Sequence, residues 1–494
     1  MNHELFIGGD LGTSALKLTL IDEKGRIIRS LSISYPVSYP LSGLSEQDAE
    51  SYLEAFEKGI GELLKAEEKP DVMGLAIDGQ MHGLVALDEK GEPLRKVILW
   101  NDSRSTEECR YLNETIGKEV LLAETGNIAY PGFTLPKILW MKNHEPNLYA
   151  KIAHVMLPKD YLVYRLTGEF STDYSDACGT LLLDVKNKRW SEKMIQLSGL
   201  PISVLPPLHV SSEKVGHLTS AIAKRLGLSS DVFVLAGAGD NAAGALGSGA
   251  AQNGHAVISL GTSGTISLAS ENYVYASNGA IHSFIGADGG YFLLSCMLSA
   301  ASCVSWYLGQ ILQQNDYAKL YAAIDSEKLG QNHVYFLPYL MGERSPINDP
   351  SARGCFIGIS PTTTQADLTQ SILEGVAFAL RDSFDALKQC GAQIERCSLT
   401  GGGAKSPLWC QLMSDVFAMD FSLLSSQSGA SYGMGLLCLV HAGIYSSIEE
   451  VEKTLVATTI CHPQQEKASL YEKRYHEWKL LYPAIKGTFS SLKR

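Results

Sequence analysis

The chain has 494 residues, which exceeds one ordinary domain and favours two or three. Hydrophobic residues make up 45% and charged residues 19%, a composition typical of soluble globular proteins that can bury sizeable cores. The formal net charge of −12 argues against nucleic acid or an anionic membrane as the main partner.

The first part of the chain predicts a strand meander followed by alternating helices and strands. Apolar alternation, bounded by turn residues, predicts strands at 4–9, 15–22, 27–33, 72–77 and 84–87. Apolar residues at helical spacing predict helices over 48–65, near 103–124 and over 134–150. A loop at 78–83 joins two of these strands.

A run of small residues, 236–254, separates two halves of the chain. It holds thirteen Gly or Ala in nineteen positions and follows a predicted strand at 232–235. Small residues let backbone and ligand approach closely, and glycines absorb hinge rotation, so we predict an interdomain hinge here.

After this run, predicted strands at 256–261 and 265–270 restart the opening pattern, and helices dominate from 298 onward. A helix near 364–388 precedes a strand at 397–401. The pattern predicts two duplicated α/β domains, 1–245 and 246–494, with a cleft between them.

The motif Leu-Gly-Thr-Ser occurs twice, at 11–14 and 260–263, each time between predicted strands. Either copy alone would fit an ordinary hairpin. Two copies, one in each half, indicate two turns whose backbone N–H groups grip one polyphosphate across a cleft. The candidate phosphate-binding residues are Gly12, Thr13, Ser14, Lys17, Gly261, Thr262, Ser263 and Gly264.

The two copies differ in one charge: Asp10 precedes the first motif, and Ser259 takes its place before the second. A polyphosphate with Mg²⁺ needs a carboxylate only where the metal or its waters lie, and a second carboxylate would repel the phosphates. Asp10 is therefore the candidate metal-associated residue.

Asp240 lies in the sequence AGAGDNAAGALG, after a strand and at the start of a predicted helix. This run contains G-x-G-x-x-A, but a dinucleotide site is disfavoured. Asp240 would lie in the turn meant for a pyrophosphate, and the acidic residue expected about 20 positions later is absent. Asp240 is the candidate catalytic base, able to accept a proton from a substrate hydroxyl. A helix N-cap is the alternative, although capping does not explain the surrounding glycines.

Two loops mix polar and apolar side chains in a way that suits a ligand wall. DGQMHGL at 78–84 offers polar side chains that can bond ligand hydroxyls and a methionine that can pack against the ligand's carbon atoms. A structural role is the alternative for its histidine, because a lone histidine is more often structural. LWNDSR at 99–104 has the same character, although its tryptophan is better explained as a core residue, and SDACGT at 175–180 could line the same wall. The candidate substrate-binding residues are Gln80, Met81, His82, Trp100, Asn101, Asp240 and Asn241.

The segment LTGGGAKSPLWCQL, 399–412, predicts a strand, a triple-glycine turn and a helix. It lacks the spacing of a P-loop. A flat glycine surface before a helix can take an adenine and a ribose, and a tight strand-to-helix turn is the alternative. The candidate adenosine-binding residues are Gly401, Gly402, Gly403 and Ala404.

Together these motifs resemble the FGGY carbohydrate kinases of the actin–hexokinase superfamily, most closely those that phosphorylate xylulose. The resemblance runs from GGDLGTSALK almost to the C-terminus, and segments 132–144 and 354–374 fit two family signatures. The other matching motifs, in family order, are GQMHG, ILWNDSR, LPKDYL, TGEFSTDYSDACGT, GAGDNAAGALG, SLGTSG, MLSAASC, FLPYLMGER and GGGAKSPLW.

The resemblance implies an α/β fold of two ribonuclease-H-like domains around a catalytic cleft, with ATP, Mg²⁺ and a ketopentose as ligands. Asp240 matches the family's catalytic base, Asp10 its Mg-phosphate aspartate, and Met81 with His82 its sugar-binding pair. The turn at 261–264 matches the second phosphate loop, and the turn at 401–404 matches the adenosine site.

Two positions depart from the family pattern. Asp78 stands before Gly79, where the family often has a small residue, and this could alter sugar preference. Ala238 interrupts a glycine run that is common before the catalytic aspartate, and this substitution should matter little.

We therefore expect an ATP-dependent kinase that converts D-xylulose to D-xylulose 5-phosphate. A kinase for ribulose, gluconate or a glycerol-like polyol is the alternative. A nucleotide-driven chaperone is disfavoured because nucleotide motifs continue past residue 400 and leave little chain for a substrate-binding domain. An actin-like filament protein would need no GQMHG loop.

Composition bears on the location, and the resemblance implies the small-molecule partners. Ten scattered cysteines without a C-x-x-C pair, no signal peptide and no apolar run near ~18 residues predict a cytoplasmic protein without a membrane partner. We expect a homodimer that binds a ketopentose and ATP and no nucleic acid.

Overall fold

The computed structural model describes residues 4–67, 70–250, 252–424, 429–453, 457–489 and 491. In the first half, the strands are β1 Glu4–Leu11, β2 Ala15–Asp22, β3 Ile27–Ser34, β4 Glu46–Gln47, β5 Asp71–Gly79, β6 Val85–Leu87, β7 Val97–Ile98, β8 His154–Met156, β9 Thr172–Asp173, β10 Leu183–Asp184, β11 Arg189–Trp190, β12 Leu208–His209, β13 Lys214–His217, β14 Phe233–Leu235 and β15 Ala238–Gly239. The helices there are α1 Glu50–Leu63, α2 Thr106–Arg110, α3 Lys118–Thr125, α4 Thr134–His144, α5 Pro146–Tyr149, α6 Pro158–Thr167, α7 Tyr174–Ala177, α8 Glu192–Ser198, α9 Ser220–Leu226 and α10 Asp240–Gly247.

The second half restarts with strands and then becomes mainly helical. Its strands are β16 His255–Leu260, β17 Gly264–Ser270, β18 His282–Ile285, β19 Tyr291–Met297, β20 Tyr335–Leu337, β21 Cys355–Ile357, β22 Arg396–Thr400, β23 Phe421–Leu424 and β24 Ala457–Cys461. Its helices are α11 Ala301–Trp306, α12 Tyr317–Ala322, α13 Gln365–Gln389, α14 Pro407–Phe417, α15 Ala430–His441, α16 Ile448–Glu452, α17 Gln465–Lys479 and α18 Leu481–Phe489. Among the described residues, no helix is long and apolar enough to cross a membrane.

Each half is built on a mixed sheet of seven strands. In the first sheet, β1, β2 and β3 form an antiparallel meander, and β1 also pairs in parallel with β5, which pairs with β14. In the second, β16, β17 and β19 are antiparallel, and β16 pairs in parallel with β22 and β22 with β23. The same arrangement therefore occurs twice, which confirms the predicted two-domain α/β fold.

The local predictions fail at a few element ends. Strand β5 extends through Asp78 and Gly79, which the sequence places in a loop, because both residues continue the parallel ladder with β1. The helix predicted near 103–124 is interrupted by a π-helical turn at Tyr111–Gly117. The small-residue run is not all loop, since helix α10 lies within it, and its role as a hinge stays a prediction.

Glycines in the small-residue run let two helices approach closely. Helix α15, from the second half of the chain, packs against α10 and against β1 and β5 of the first sheet. A Cβ added at Gly433 of α15 would lie 2.4 Å from the Ala243 carbonyl oxygen of α10. A Cβ at Gly247 would lie 2.1 Å from the Gly429 carbonyl oxygen. These backbones are too close for any side chain.

We therefore expect Gly433→Ala to destabilise the protein. Overpacking of this kind costs about 1–3 kcal/mol, more than the roughly 0.5–1 kcal/mol that alanine gains over glycine in a helix. Gly244→Ala, in α10, is the matched control because a Cβ there meets nothing within 4 Å. Urea denaturation should give a lower midpoint for Gly433→Ala and an unchanged or higher one for Gly244→Ala. Equal midpoints would mean that α10 and α15 can move apart to accept the added methyl group without loss of stability.

Candidate active site

Three carboxyl groups gather where the parallel strands of the first sheet end. Asp10 of β1 lies in register with Asp78 of β5, and Asp78 lies in register with Ala238 of β15. Asp240 follows two residues after Ala238, at the first turn of α10. Ligands of open α/β sheets bind in the crevice at this edge.

Asp240 lies in the first turn of α10 and does not cap the helix. Gly239 occupies the N-cap position of α10, so the capping interpretation of Asp240 is wrong. Its Oδ1 accepts a hydrogen bond from Asn241 Nδ2 at 2.8 Å. Burial, and then the negative charge of Asp10, raise the pKa of Asp240 to about 7. A carboxylate with a pKa near neutrality is well matched to general-base catalysis.

Asp10 and Asp78 share the buried edge with Asp240. Burial raises the pKa of Asp10, against the opposing effect of the Lys17 ammonium. Burial, followed by Asp10 and Asp240, raises the pKa of Asp78 well above its usual range. Asp78 is fully buried and lines neither of the cavities described below.

Asp240 faces a small cavity of about 220 Å³, below the roughly 300–1,000 Å³ of sites for drug-sized ligands. The cavity is lined by both halves of the chain, including two ligand-wall loops predicted from the sequence. Its walls are formed by Met81, His82, Trp100, Tyr130, Gly132, Phe133, Asp240, Asn241, Ser263, Thr265, His282, Phe284, Leu294, Cys296 and Arg344. The mixture of polar and apolar groups suits a small polyhydroxylated molecule.

His82 presents a hydrogen-bond acceptor to this cavity. Its backbone has φ of 73°, in the left-handed region that non-glycine residues seldom adopt. Its Nδ1 lies 2.9 Å from the Gly179 carbonyl oxygen, and since a carbonyl only accepts, Nδ1 carries the proton. Burial lowers the pKa of His82 to about 3, so the ring is neutral. Its Nε2 can then accept a hydrogen bond from a ligand hydroxyl.

Of the other predicted substrate-binding residues, Trp100 lines the cavity, whereas Gln80 and Asn101 do not. Trp100 is 43% exposed and lines the cavity, so the core interpretation is wrong, and its Nε1 donates to Thr13 Oγ1 at 2.9 Å. Gln80 is buried and donates to Gln47 Oε1, so its side chain lies behind the cavity. Asn101 is exposed and is not among the cavity residues.

The segment 175–180 supports the wall from behind. Ser175 Oγ accepts a hydrogen bond from the Gly239 N–H at 2.9 Å, directly before Asp240. The Gly179 carbonyl holds His82, as described above. The segment thus positions two predicted functional residues without lining the cavity itself.

Nine residues that line the cavity were not candidates from the sequence, among them Tyr130, Phe133, His282 and Arg344. His282 is buried, and burial lowers its pKa well below the usual range. Arg344 belongs to FLPYLMGER, so its motif was visible although no local pattern placed its side chain in the cavity.

A second, larger cavity of about 910 Å³ lies on the other side of the second Leu-Gly-Thr-Ser turn. Gly402 and Gly403 of the triple-glycine turn form one wall, and Ala301, Val304, Tyr317 and Tyr321 of α11 and α12 belong to another. Gly261 and Thr262 line this cavity, whereas Ser263 lines the small one. The turn therefore separates a nucleotide-sized space from a sugar-sized space.

The two Leu-Gly-Thr-Ser turns are geometrically equivalent. A Cβ on Gly12 would lie 3.8 Å from Asp10 Oδ1, and a Cβ on Gly261 would lie 3.8 Å from Ser259 Oγ. Ser259 thus occupies in the second half the position of Asp10 in the first. The turns differ in one donor, because the Gly12 N–H is already bonded to the Ala15 carbonyl oxygen at 3.1 Å.

Four other predicted nucleotide residues line neither cavity. Lys17 lies opposite Asp10 in the β1–β2 register. Gly264 begins β17 and packs where a Cβ would lie 2.8 Å from Met297 Cγ. Gly401 has φ of 89° and leaves no room for a Cβ beside Leu260, and Ala404 packs against the core of the second half. Neither Gly401 nor Ala404 lines the larger cavity.

The chain matches the models of both domains of one protein family. Residues 5–247 match the N-terminal domain of the FGGY family of carbohydrate kinases, and residues 256–442 match its C-terminal domain. These matched segments contain both Leu-Gly-Thr-Ser turns, Asp240 and the triple-glycine turn.

Full-length relatives agree with this match. The chain is 38% identical to a xylulose kinase of Staphylococcus epidermidis over 496 residues, covering 100% of this chain and 99% of the relative. It is 38% identical to a xylulose kinase of Escherichia coli over 483 residues, covering 97% and 99%. A solved xylulose kinase structure from Brucella ovis superposes with a TM-score of 0.94 at 36% identity, covering 98% of this chain and all of that one. The chain belongs to the FGGY family of carbohydrate kinases.

Proposed function

We propose that this protein transfers the γ-phosphoryl group of ATP to O5 of D-xylulose. The observation that carries the proposal is the position of the Gly261–Ser263 turn between the large and the small cavity, with Asp240 in the small one. A nucleotide in the large cavity would direct its terminal phosphate past this turn toward a sugar hydroxyl beside Asp240. The names of the full-length relatives support xylulose as the sugar.

Asp240 would accept the proton of the attacking hydroxyl. A sugar hydroxyl is a poor nucleophile at neutral pH, and a positioned base typically contributes about 10²–10⁴-fold to the rate. Asn241 holds the carboxylate through its side-chain amide. Phosphoryl transfer otherwise depends on positioning and on charge stabilisation, which the N–H groups of the two turns would supply.

The residues present fit a magnesium ion that arrives with the nucleotide. Among the described residues, no group of three or more His, Cys, Asp or Glu forms a metal cage. Mg²⁺ is usually held by one or two carboxylates together with waters and substrate phosphates, and Asp10 offers a hard oxygen donor beside the first turn. When bound, the ion would neutralise charge on the phosphates. The predicted homodimer and the cytoplasmic location stay predictions.

A panel of sugars tests the substrate. We expect kcat/KM, measured by ADP release, to be highest for D-xylulose when compared with ribulose, glycerol and gluconate. The cavity walls are largely uncharged and suit a neutral ketose. Gluconate is the strictest comparison, because Arg344 in the cavity could pair with its carboxylate. A higher kcat/KM for gluconate than for D-xylulose would overturn the substrate and leave the carbohydrate kinase class.

A further inference from the structure

The small cavity has an acidic end and a cationic end. Arg344 and Asp240 both line it, yet no ion pair joins them among the described residues. The Arg344 guanidinium lies 5.0 Å from the centre of the Tyr130 ring. Burial above all, and the Arg344 charge in addition, lower the pKa values of His82 and His282. Asp240 instead accepts a hydrogen bond from Asn241, so the acid and the cation occupy separate places on the cavity wall.

The N–H donors of the Arg344 guanidinium are not used by any of the described residues. Within the described part of the chain, no side chain or carbonyl accepts a hydrogen bond from it, and no carboxylate pairs with it. Arginine offers five N–H donors and no acceptor. A half-buried cation stacked on an aromatic ring and turned to a cavity needs an acceptor-only group from the ligand.

The chemistry of the substrate supplies such a group. A 2-ketopentose closes its five-membered ring by attack of O5 on C2, so a molecule whose O5 is free for phosphoryl transfer carries a free C2 carbonyl. When O5 lies beside Asp240, C1 and C2 extend toward the opposite end of the cavity. The carbonyl oxygen accepts hydrogen bonds and donates none, and this complements the donors of Arg344.

We propose that Arg344 is the specificity-determining residue that binds the C2 carbonyl of the open-chain ketose. This inference rests on the proposed function and adds the group that distinguishes a ketose from an alcohol. A hydrogen bond from a charged donor is worth about 10–100-fold in affinity. His82, with its acceptor Nε2, remains available for a hydroxyl.

Calorimetric binding of two ligands to three proteins tests the proposal. The ligands are D-xylulose and the 2-deoxy pentitol with the same configuration at C3 and C4, which lacks an oxygen at C2. We expect Arg344→Met to weaken D-xylulose binding by about 10–100-fold and to leave binding of the deoxy pentitol within a few-fold. Arg353→Met is the matched control: this arginine follows on the same segment, bonds backbone carbonyls and lines neither cavity.

Arg344→Leu provides a second variant without a side-chain donor should Arg344→Met not fold. Equal losses for both ligands would overturn the proposal, because a purely structural arginine affects both alike. Unchanged D-xylulose affinity in either folded variant would overturn it too. These results are separate from the proposed function, which fails instead if the wild-type protein does not phosphorylate D-xylulose.

Discussion

Asp240→Asn should lower kcat for D-xylulose by about 10²–10⁴-fold, the usual contribution of a positioned base. Asparagine keeps the size of the side chain and can still bond Asn241, but it cannot take a proton. ATP affinity should stay within a few-fold, and sugar affinity should fall only modestly. The melting temperature should not decrease, because Asp240 is not the cap of α10 and its charge is desolvated. Steady-state kinetics, calorimetry and thermal unfolding measure these quantities.

The pH profile gives this variant an independent readout. With a pKa raised to about 7, Asp240 is protonated at lower pH and cannot act as a base. Wild-type kcat/KM should therefore rise with pH through about 7, and the residual activity of Asp240→Asn should lack this step. Asp415→Asn is the control, because Asp415 is also a buried acid with a pKa raised by burial and lines neither cavity. Near wild-type turnover by folded Asp240→Asn would exclude Asp240 as the base.

Ser259→Asp should weaken ATP binding strongly while leaving the turn itself intact. The substitution introduces at the second turn a carboxylate equivalent to Asp10 of the first turn. No metal ion would be present there to neutralise the added charge. Like charges 4 Å apart repel by about 4 kcal/mol at an effective dielectric of about 20, and screening reduces this value. We expect a loss of about 10–10³-fold in affinity for an ATP analogue, with little change in affinity for the sugar.

Ser259→Asn separates charge from size at the same position. Its affinity for the ATP analogue should remain within a few-fold of wild type, and the defect of Ser259→Asp should shrink as ionic strength rises. If Ser259→Asp bound the analogue as well as wild type, the second turn would not face the phosphates.

The fold was largely predictable because its signals are local. Apolar alternation over 4–33 and 256–270 identifies the strand meanders of both sheets, and the repeated Leu-Gly-Thr-Ser motif identifies their equivalence. Asp240 was also predictable, since a strand, glycines and an acidic helix start are neighbours in sequence. The same reasoning identified the turn at 261–263 and the triple-glycine turn, both of which line cavities.

The missing parts of the site depend on contacts between distant segments. Arg344, His282 and Tyr130 converge on one cavity although they lie far apart in the chain, and no periodicity reveals such a meeting. Gln80, a predicted substrate-binding residue, lines neither cavity, because its side chain is buried and donates a hydrogen bond to Gln47, 33 residues earlier. Local strand propensity likewise did not reveal that β5 continues through Asp78. The strand is extended there because Asp78 pairs with Asp10 of β1, a contact between distant segments.

The most direct test of the central claim is phosphorus NMR of the reaction of wild-type protein with Mg-ATP and D-xylulose. We expect one ADP for each D-xylulose 5-phosphate formed, with the new phosphorus resonance coupled to the two protons on C5. Release of inorganic phosphate in place of a sugar phosphate, or coupling of the phosphorus to protons of another carbon, would contradict the account.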